Sequence, residues 1–587
     1  MQIRTRGGRH RRRMTIALPA AAAVVALVGA GIAVTGSDSA EANEAPRISV
    51  APPATGDTVS KEELAQRAAK AMKADERSAR SLGKEPEAGS SSDSAPSARI
   101  IGGQETTIST APWMAQLHFW DSTGAGYFCG GTVIAPTKIL TAAHCVKGIK
   151  WYTDGVVITG TDQLPTGEDL HGGTPHGVSR QWHHPQYSDY TLDNDVAVLT
   201  LDTPTTARPL PLAQPTDGAL YQAGLDGKVY GWGRTSSTEP DSASQTLKVA
   251  DADTVSDTNC AAAYPEGFVK GHMLCAGDPP TGSDETSETT CNGDSGGPLV
   301  VGGKLVGVVS WGDIDCSAAG KYGVYAKVST YSAPVQSRVD DANWNGDHAA
   351  DLLARRTSDS TLFGWTSKIT SLSRTQNLGY FGGFTLALQN DLDRDSLTDV
   401  LNRYNGDVYW DHYSIAANEW QSKLIAKGWG KHKAILTPGD VTGDELPDMV
   451  AVDSVGTMRV YPGRGTGAFG TPISVGTGWG KFTMIRGHGD FTNDGKADMF
   501  ARATDGKTYL YKGTGVATKP WSAPVLVAAF GSMNALATTG DVNSDGVADV
   551  LARDTAGKLW LYPGNGRGGF LARKDFGTGW QAYNLLG

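Results

Sequence analysis

The sequence predicts an all-β chain of two successive folded units, the second of them a ring of repeats. Three observations carry this. At 587 residues the chain is far longer than one ordinary domain requires. Its 74 glycines and 39% hydrophobic residues describe a turn-rich chain, in which short alternating apolar runs bounded by Gly, Pro, Asn and Asp dominate from Ile100 onward. An acidic motif then returns five times from Asn343, and its final aspartates, Asp351, Asp399, Asp448, Asp498 and Asp549, lie 48, 49, 50 and 51 residues apart.

Residues 1–42 read as a secretory signal. Six arginines fall within Met1–Met14, Thr15–Val34 is uncharged and mostly apolar, and Ala40-Glu41-Ala42 places small residues around a cleavage point after Ala42. The competing reading is an uncleaved anchor, since about 20 apolar residues can span a bilayer. Alanine richness and the cleavage site favour removal, which leaves a secreted chain with no stable membrane span. Arg11-Arg12 is a weak mark of twin-arginine export.

Residues 43–99, rich in Pro, Ser, Ala and Glu, read as a pro-segment and linker with one charged helix around Lys61–Ser81. The formal net charge is −10 even with the basic leader included, which argues against a nucleic-acid partner and invites metal cations instead.

Alternating strand patterns run from Ile100 to about Val328, and Val328–Asn343 reads as a terminal helix. All six cysteines lie between Cys129 and Cys316, an even number that in an exported segment implies three disulfides of open connectivity. Three blocks in this segment carry chemistry: Thr141-Ala-Ala-His144-Cys145, Asp193-Asn-Asp195 followed by apolar Val196–Leu199, and Cys291-Asn-Gly293-Asp294-Ser295-Gly-Gly-Pro298. A serine hydroxyl is a weak nucleophile near neutrality and needs a base within hydrogen-bond reach, itself oriented by a carboxylate.

With Ile100-Ile-Gly-Gly after Arg99, these blocks resemble the chymotrypsin/trypsin family over about Ile100–Asn343. The resemblance implies a chymotrypsin-like double β-barrel over 100–340, with His144 as base, Asp195 orienting it and Ser295 as nucleophile. Asp195 is preferred to Asp193 because it directly precedes the apolar run. The backbone N–H groups of Gly293 and Ser295 would form the oxyanion hole. Cleavage after Arg99 would free the Ile100 amine to pair with Asp294, and the implied disulfides are Cys129–Cys145, Cys260–Cys275 and Cys291–Cys316.

No cofactor is needed for such catalysis, and the substrates would be proteins or peptides. At the family's pocket floor stands Thr289 where trypsins carry aspartate. Gly312 and Gly323 take the wall positions, which favours an apolar or aromatic residue before the cut bond. Asp313 and Asp315 are the features that instead favour Arg or Lys. Ser310-Trp311-Gly312 matches the strand that aligns substrate backbone.

In the repeats, positions 1, 3, 5 and 9 offer oxygen side chains: Asp391, Asp393, Asp395 and Asp399; Asp440, Asp444 and Asp448; Asp490, Asp494 and Asp498; Asp541, Asn543, Asp545 and Asp549. That is a calcium-loop arrangement. It is not an EF-hand, because Ala552 stands at position 12 and strands follow. The pattern resembles the FG-GAP, or VCBS, propeller repeats. Asn343, Asn345 and the shifted Gly346 in repeat one, with Thr442 and Thr492 in repeats three and four, predict weaker binding in those loops. Turn chemistry alone explains one such loop; five in register weigh against it.

An aromatic residue, Tyr380, Trp429, Trp479 or Phe530, stands eleven positions before the first aspartate of repeats two to five, and Trp580 is the fifth. This predicts blade-core aromatics and a C-terminal strand that completes the first blade, closing a five-bladed β-propeller over 341–587. The propeller's ligand, whether a surface, a glycan or a protein, is not specified. Two functional classes follow: an active endopeptidase targeted or stabilised by its propeller, and an adhesion or lectin-like protein with a vestigial protease domain. The intact triad pattern favours the first.

Overall fold

In a computed structural model of the chain, the described residues are Ile48, 59–81, 100–239, 242–345, 349–395, 397–414 and 417–587. The signal expected over residues 1–42, Arg99 and Gly346 lie outside them. No helix among the described residues is long and apolar enough to cross a membrane.

The helix expected in the pro-segment spans Lys61–Ser81. Ser60 opens it, its Oγ accepting the Glu63 N–H at 3.1 Å, and Glu62 and Glu63 sit in the first turn where the helix dipole favours acids. Leu64 and Ala68 pack on Val156 and Ile158 of the barrel, and Arg67 donates to the Tyr152 carbonyl at 3.0 Å. Ile48, upstream, packs among Trp344, Phe381 and Trp420, far along the chain.

Residues 100–340 form two seven-stranded antiparallel sheets, the two halves of a double barrel. In the first, Met114–Trp120 pairs with Gly126–Ala135 on one side and Gly155–Thr159 on the other. Its Leu117 points into the core. Gln116 and His118, cross-strand neighbours of Ile158 and Val156, lie on the opposite face and are buried as well, because the helix Lys61–Ser81 covers that face. The second sheet includes Gly227–Gly231, Pro298–Val301, Lys304–Trp311 and Gly323–Lys327. The three disulfides pair Cys129 with Cys145, Cys260 with Cys275 and Cys291 with Cys316.

The terminal helix ends at Asp340, short of the expected Asn343. Asp341 turns extended at φ −68° and ψ 141° because its Oδ2 accepts the Asp541 N–H at 2.9 Å. A tertiary partner, invisible to helical periodicity, stops the helix.

Beyond it stand five four-stranded sheets. Their innermost strands, Tyr583–Leu586, Phe384–Asn390, Ala434–Gly439, Met484–Arg486 and Met533–Gly540, touch one another in succession around an axis. The last strand pairs with Leu352–Arg356, Ala354 opposite Leu586, so the chain's end completes the first blade as expected and leaves no open inner edge. Trp429, Trp479 and Phe530 pack against Tyr461, Tyr511 and Tyr562 of the following blade, with ring centroids 5.2, 4.9 and 4.9 Å apart. Tyr380 departs from the expected series: it is 62% exposed, and the fully buried Phe381 fills the core in its place.

The acidic loops face the protease unit. Arg394, in the second loop, adopts φ +61°, is buried, pairs with Asp340 at 2.8 Å and donates to the Val339 carbonyl at 3.2 Å. A His488 ring nitrogen lies 2.9 Å from the Asp340 carbonyl oxygen. The helix end is thus held in the mouth of the ring, beside an interfacial cavity of about 400 Å³.

Candidate active site

The three sequence blocks meet in one cleft between the two sheets. His144 lies on a short turn after the strand Lys138–Thr141. Asp195 lies two residues before the strand Ala197–Leu201, at the head of its apolar run. His144 Nδ1 lies 2.8 Å from Asp195 Oδ2, and the His144 backbone N–H donates to Asp195 Oδ1 at 2.9 Å. Ser310 Oγ donates to Asp195 Oδ2 at 2.6 Å, so the buried carboxylate is held by three donors. Asp193 is elsewhere, against His272 at 2.7 Å. Burial works against protonation of His144, but the charge and hydrogen bond of Asp195 outweigh it and raise the imidazole above its ordinary value.

The loop that carries Ser295 is fixed from below. Gly293 adopts φ +97°, and a Cβ there would stand 2.5 Å from Phe128 Cζ, so glycine is required on two counts. Gly130 N–H donates to the Ser295 carbonyl at 2.8 Å and Gly296 N–H to that of Val309 at 2.8 Å. Asp294 is fully buried beneath, its carboxylate accepting Gly233 N–H at 2.8 Å and Cys291 N–H at 2.9 Å. Burial pushes it up to about 7 despite those two donors. Among the described residues no cation pairs with it. Ile100 and Ile101 are fully buried, and Ile101 bridges to Thr289.

The cleft holds about 340 Å³ and is lined by His144, Ser295, Thr289, Ser310, Gly312 and Gly323, among others. The sequence-predicted pocket residues are therefore brought together. A Cβ on Gly312 would have nothing nearer than 3.7 Å, whereas one on Gly323 would meet Tyr325 Oη at 3.1 Å and Thr290 Oγ1 at 3.2 Å. Asp313 lines the cleft and Asp315 does not; Thr290, Lys321 and Tyr322 line it without having been singled out from the sequence. No propeller residue reaches it among the described residues.

Residues 100–335 match the family model described as Trypsin. The trypsin of Saccharopolyspora erythraea is 39% identical over 232 residues, 40% of this chain and 94% of that protein. The chain belongs to the trypsin family. Trypsin 5G1 of Aedes aegypti is 36% identical over 237 residues, 40% of this chain and 82% of that protein. Anionic trypsin of Bos taurus is 35% identical over 247 residues, 41% of this chain and 90% of that protein. Residues 490–552 match the FG-GAP-like repeat model. The enzyme is thus a trypsin-like serine protease with a repeat-built propeller fused behind it.

The propeller loops differ in their fitness for a cation. In the second, oxygens of Asp391, Asp393 and Asp395 lie within 4.8 Å of one another, and Asp393 Oδ1 is buried without a hydrogen-bond partner among the described residues. Burial first and the neighbouring carboxylates next push Asp393 and Asp395 well above the ordinary carboxylate range. A divalent cation would relieve both. Asp399 instead braces the loop, its Oδ2 accepting Leu392 N–H at 2.9 Å. In the third loop Asp440 accepts the N–H groups of Thr442, Gly443 and Glu445, and Asp448 those of Val441 and Gly463. Asp490 and Asp498 do the same in the fourth, with Gly495 and Gly513 among their donors, and Asp541 and Asp549 in the fifth, with Gly546 and Gly564. The fifth loop also faces the Arg338 guanidinium, which lowers Asp541 against the rise from burial. Asp444, Asp494 and Asp545 complete these loops at the surface or at its edge, and Asn543 is buried with its Nδ2 donating to Asp549 Oδ2 at 3.0 Å.

Proposed function

We propose that the chain is the precursor of a secreted serine endopeptidase that hydrolyses peptide bonds through His144, Asp195 and Ser295. The observation that carries this is the 2.8 Å contact of His144 with a buried, triply held Asp195 in the cleft that Ser295 lines. Ser295 Oγ attacks the substrate carbonyl carbon and its proton passes to His144 Nε2, while Asp195 holds the tautomer and stabilises the imidazolium. Negative charge on the carbonyl oxygen is met by the N–H groups of Gly293 and Ser295. His144 then returns the proton to the departing amine. Water repeats the sequence on the acyl-enzyme, releasing the acid and restoring Ser295.

Activation follows from the state of Asp294. A buried carboxylate at about 7 with only N–H partners calls for a cation, which the Ile100 amine would supply after cleavage at Arg99. The pocket favours an apolar or aromatic residue before the cut bond: its floor carries Thr289 and Thr290, and Asp313 is its sole carboxylate, on the Trp311–Cys316 wall. The second propeller loop would hold calcium through Asp391, Asp393 and Asp395, where the ion would supply charge neutralisation and rigidity next to the protease helix. Export through the N-terminal signal suits three disulfides. The propeller, clear of the cleft, targets or stabilises the enzyme.

The experiment is digestion of a diverse peptide library by protein processed at Arg99, beside a Ser295→Ala control. Cuts absent from the control and following Phe, Tyr, Leu or Met are expected. Cuts after Arg and Lys would overturn the pocket reading, and equal product in the control would overturn the triad.

A further inference from the structure

At the propeller mouth away from the protease, Arg486 and Arg553 line one chamber. The innermost strands start there and run toward the protease-facing loops, which places Thr385, Asn534 and Asn584 near their starts. Together with Met484, Arg486 and Arg553 these residues line a chamber of about 190 Å³ that no aspartate or glutamate among the described residues enters. The opposite mouth, by contrast, sets carboxylates such as Asp440, Glu445 and Asp490 beside the cations Lys304, Arg394 and Lys496.

Four arginines recur around this ring, each four residues after a motif's final aspartate: Arg355, Arg403, Arg502 and Arg553. They have a structural task. Each Nη1 donates to carbonyls of the neighbouring turn, such as Phe530 and Met533 for Arg502, and each Nε to an oxygen of Asn584, Thr385, Thr483 or Asn534. These latches grip Asn534 and Asn584 by their oxygens, so the amide Nδ2 donors stay available.

Arg486 does not belong to that series. It lies on an innermost strand, four residues before its loop, where the other blades place Ala387, Leu436 and Ala537. Its Nε donates to the Leu536 carbonyl at 3.1 Å and its Nη1 to that of Ile485 at 2.8 Å, leaving Nη2 without a protein acceptor among the described residues. It separates the outer chamber from an inner axial one that all five blades line and Gly587 borders. No carboxylate lies within 4.0 Å of any of these five arginines among the described residues. Burial lowers all five from their ordinary value, as expected of guanidinium groups taken from water without an anion.

We propose that the outer chamber is an oxyanion-binding site, which takes a carboxylate, sulfate or phosphate group against Arg486 with the Asn534 and Asn584 amides as further donors. A planar guanidinium offers paired N–H donors that match such groups, and an arginine set among apolar equivalents on the axis has no packing reason to be there. The site is independent of the protease reading and supplies a chemistry for what the propeller recognises.

The test uses the full chain carrying Ser295→Ala, titrated with sodium sulfate and with sodium D-glucuronate by calorimetry and thermal melting, against sodium chloride at matched ionic strength. Saturable binding of one oxyanion per chain and a rise in melting temperature absent in chloride are expected. Arg486→Gln should weaken binding at least about tenfold. Because that change is buried, Asn534→Asp is the second variant. It keeps the shape, places a carboxylate beside Arg553, and should abolish binding while melting no lower than the parent. Preference for sulfate would assign the inorganic or ester class and preference for glucuronate the acidic-sugar class. Absence of saturable binding below about 20 mM, or undiminished binding in both variants, would overturn the proposal.

Discussion

Arg394 and Asp340 join the propeller to the protease through a 2.8 Å ion pair in which the arginine side chain is only 3% exposed. Removing one member of a buried pair strands the other. Asp340→Ala should therefore cost about 3 kcal/mol, because it strands the buried Arg394 guanidinium. Calorimetry of the full chain should show one unfolding transition becoming two in Asp340→Ala. Activity on a short peptide should stay within about twofold, because no propeller residue lines the cleft. A single undisturbed transition would show that the pair does not couple the units.

Asp294 gives a pH signature to the uncleaved chain. Its carboxyl is raised by burial from an ordinary 3.8 to about 7, so across that window the folded state binds the proton that the unfolded state has lost. Stability must fall as pH rises through the window, by up to about 1.4 kcal/mol per pH unit for this group. An Ile100 ammonium set beside it would lower the carboxyl and reverse the sign. Melting of Ser295→Ala protein before and after cleavage at Arg99, from pH 4 to 8, should show the precursor losing stability relative to the processed form. Parallel curves would mean that cleavage brings no cation to Asp294.

Much of this molecule was legible in its sequence because its signals are periodic or clustered. The repeat spacing fixed five blades, and the unmatched Trp580 indicated that the last strand belongs to the first. The spacing of Asp195 from its apolar run separated it from Asp193, which the structure pairs with His272. What escaped has no period or is decided by tertiary contact. Arg394 is one residue in a turn whose equivalents are Gly443, Asn493 and Ser544, all with positive φ. Asp341 ends its helix for a partner two hundred positions away. Tyr380 and Phe381 exchange places because one aromatic slot has two adjacent candidates. The latch arginines were periodic and could have been found by extending the repeat four residues past each final aspartate.

The second propeller loop should dominate calcium binding. Its three carboxylates crowd within 4.8 Å and Asp393 Oδ1 is buried without a hydrogen-bond partner among the described residues, whereas Thr442, Thr492 and Asn543 stand at the position of Asp393 in loops three to five. Chelation should lower the melting temperature of the parent, and Asp393→Asn with Asp395→Asn should remove that response. Without calcium the double variant should melt above the parent, since it lacks the repulsion the ion would neutralise. An unaltered calcium response in the double variant would move the site to another loop.

The pro-segment helix should stay bound after activation. No cysteine lies in residues 43–99, so no disulfide can retain it, and the contacts must suffice. Leu64 is buried on Val156 and Ile158, worth roughly 2 kcal/mol. Arg67 satisfies the Tyr152 carbonyl, Lys70 stands 3.6 Å over the Trp120 ring, and Ile48 is buried against the propeller. None of these residues lines the cleft, so these contacts can persist while substrate enters. Gel filtration of cleaved Ser295→Ala protein at micromolar concentration should carry the segment with the enzyme. Leu64→Asp, which puts an unpaired charge on the barrel face, should release it and lower the melting temperature, while activity in the Ser295 parent changes little. Elution of a free segment from the parent would show that the helix serves only before cleavage.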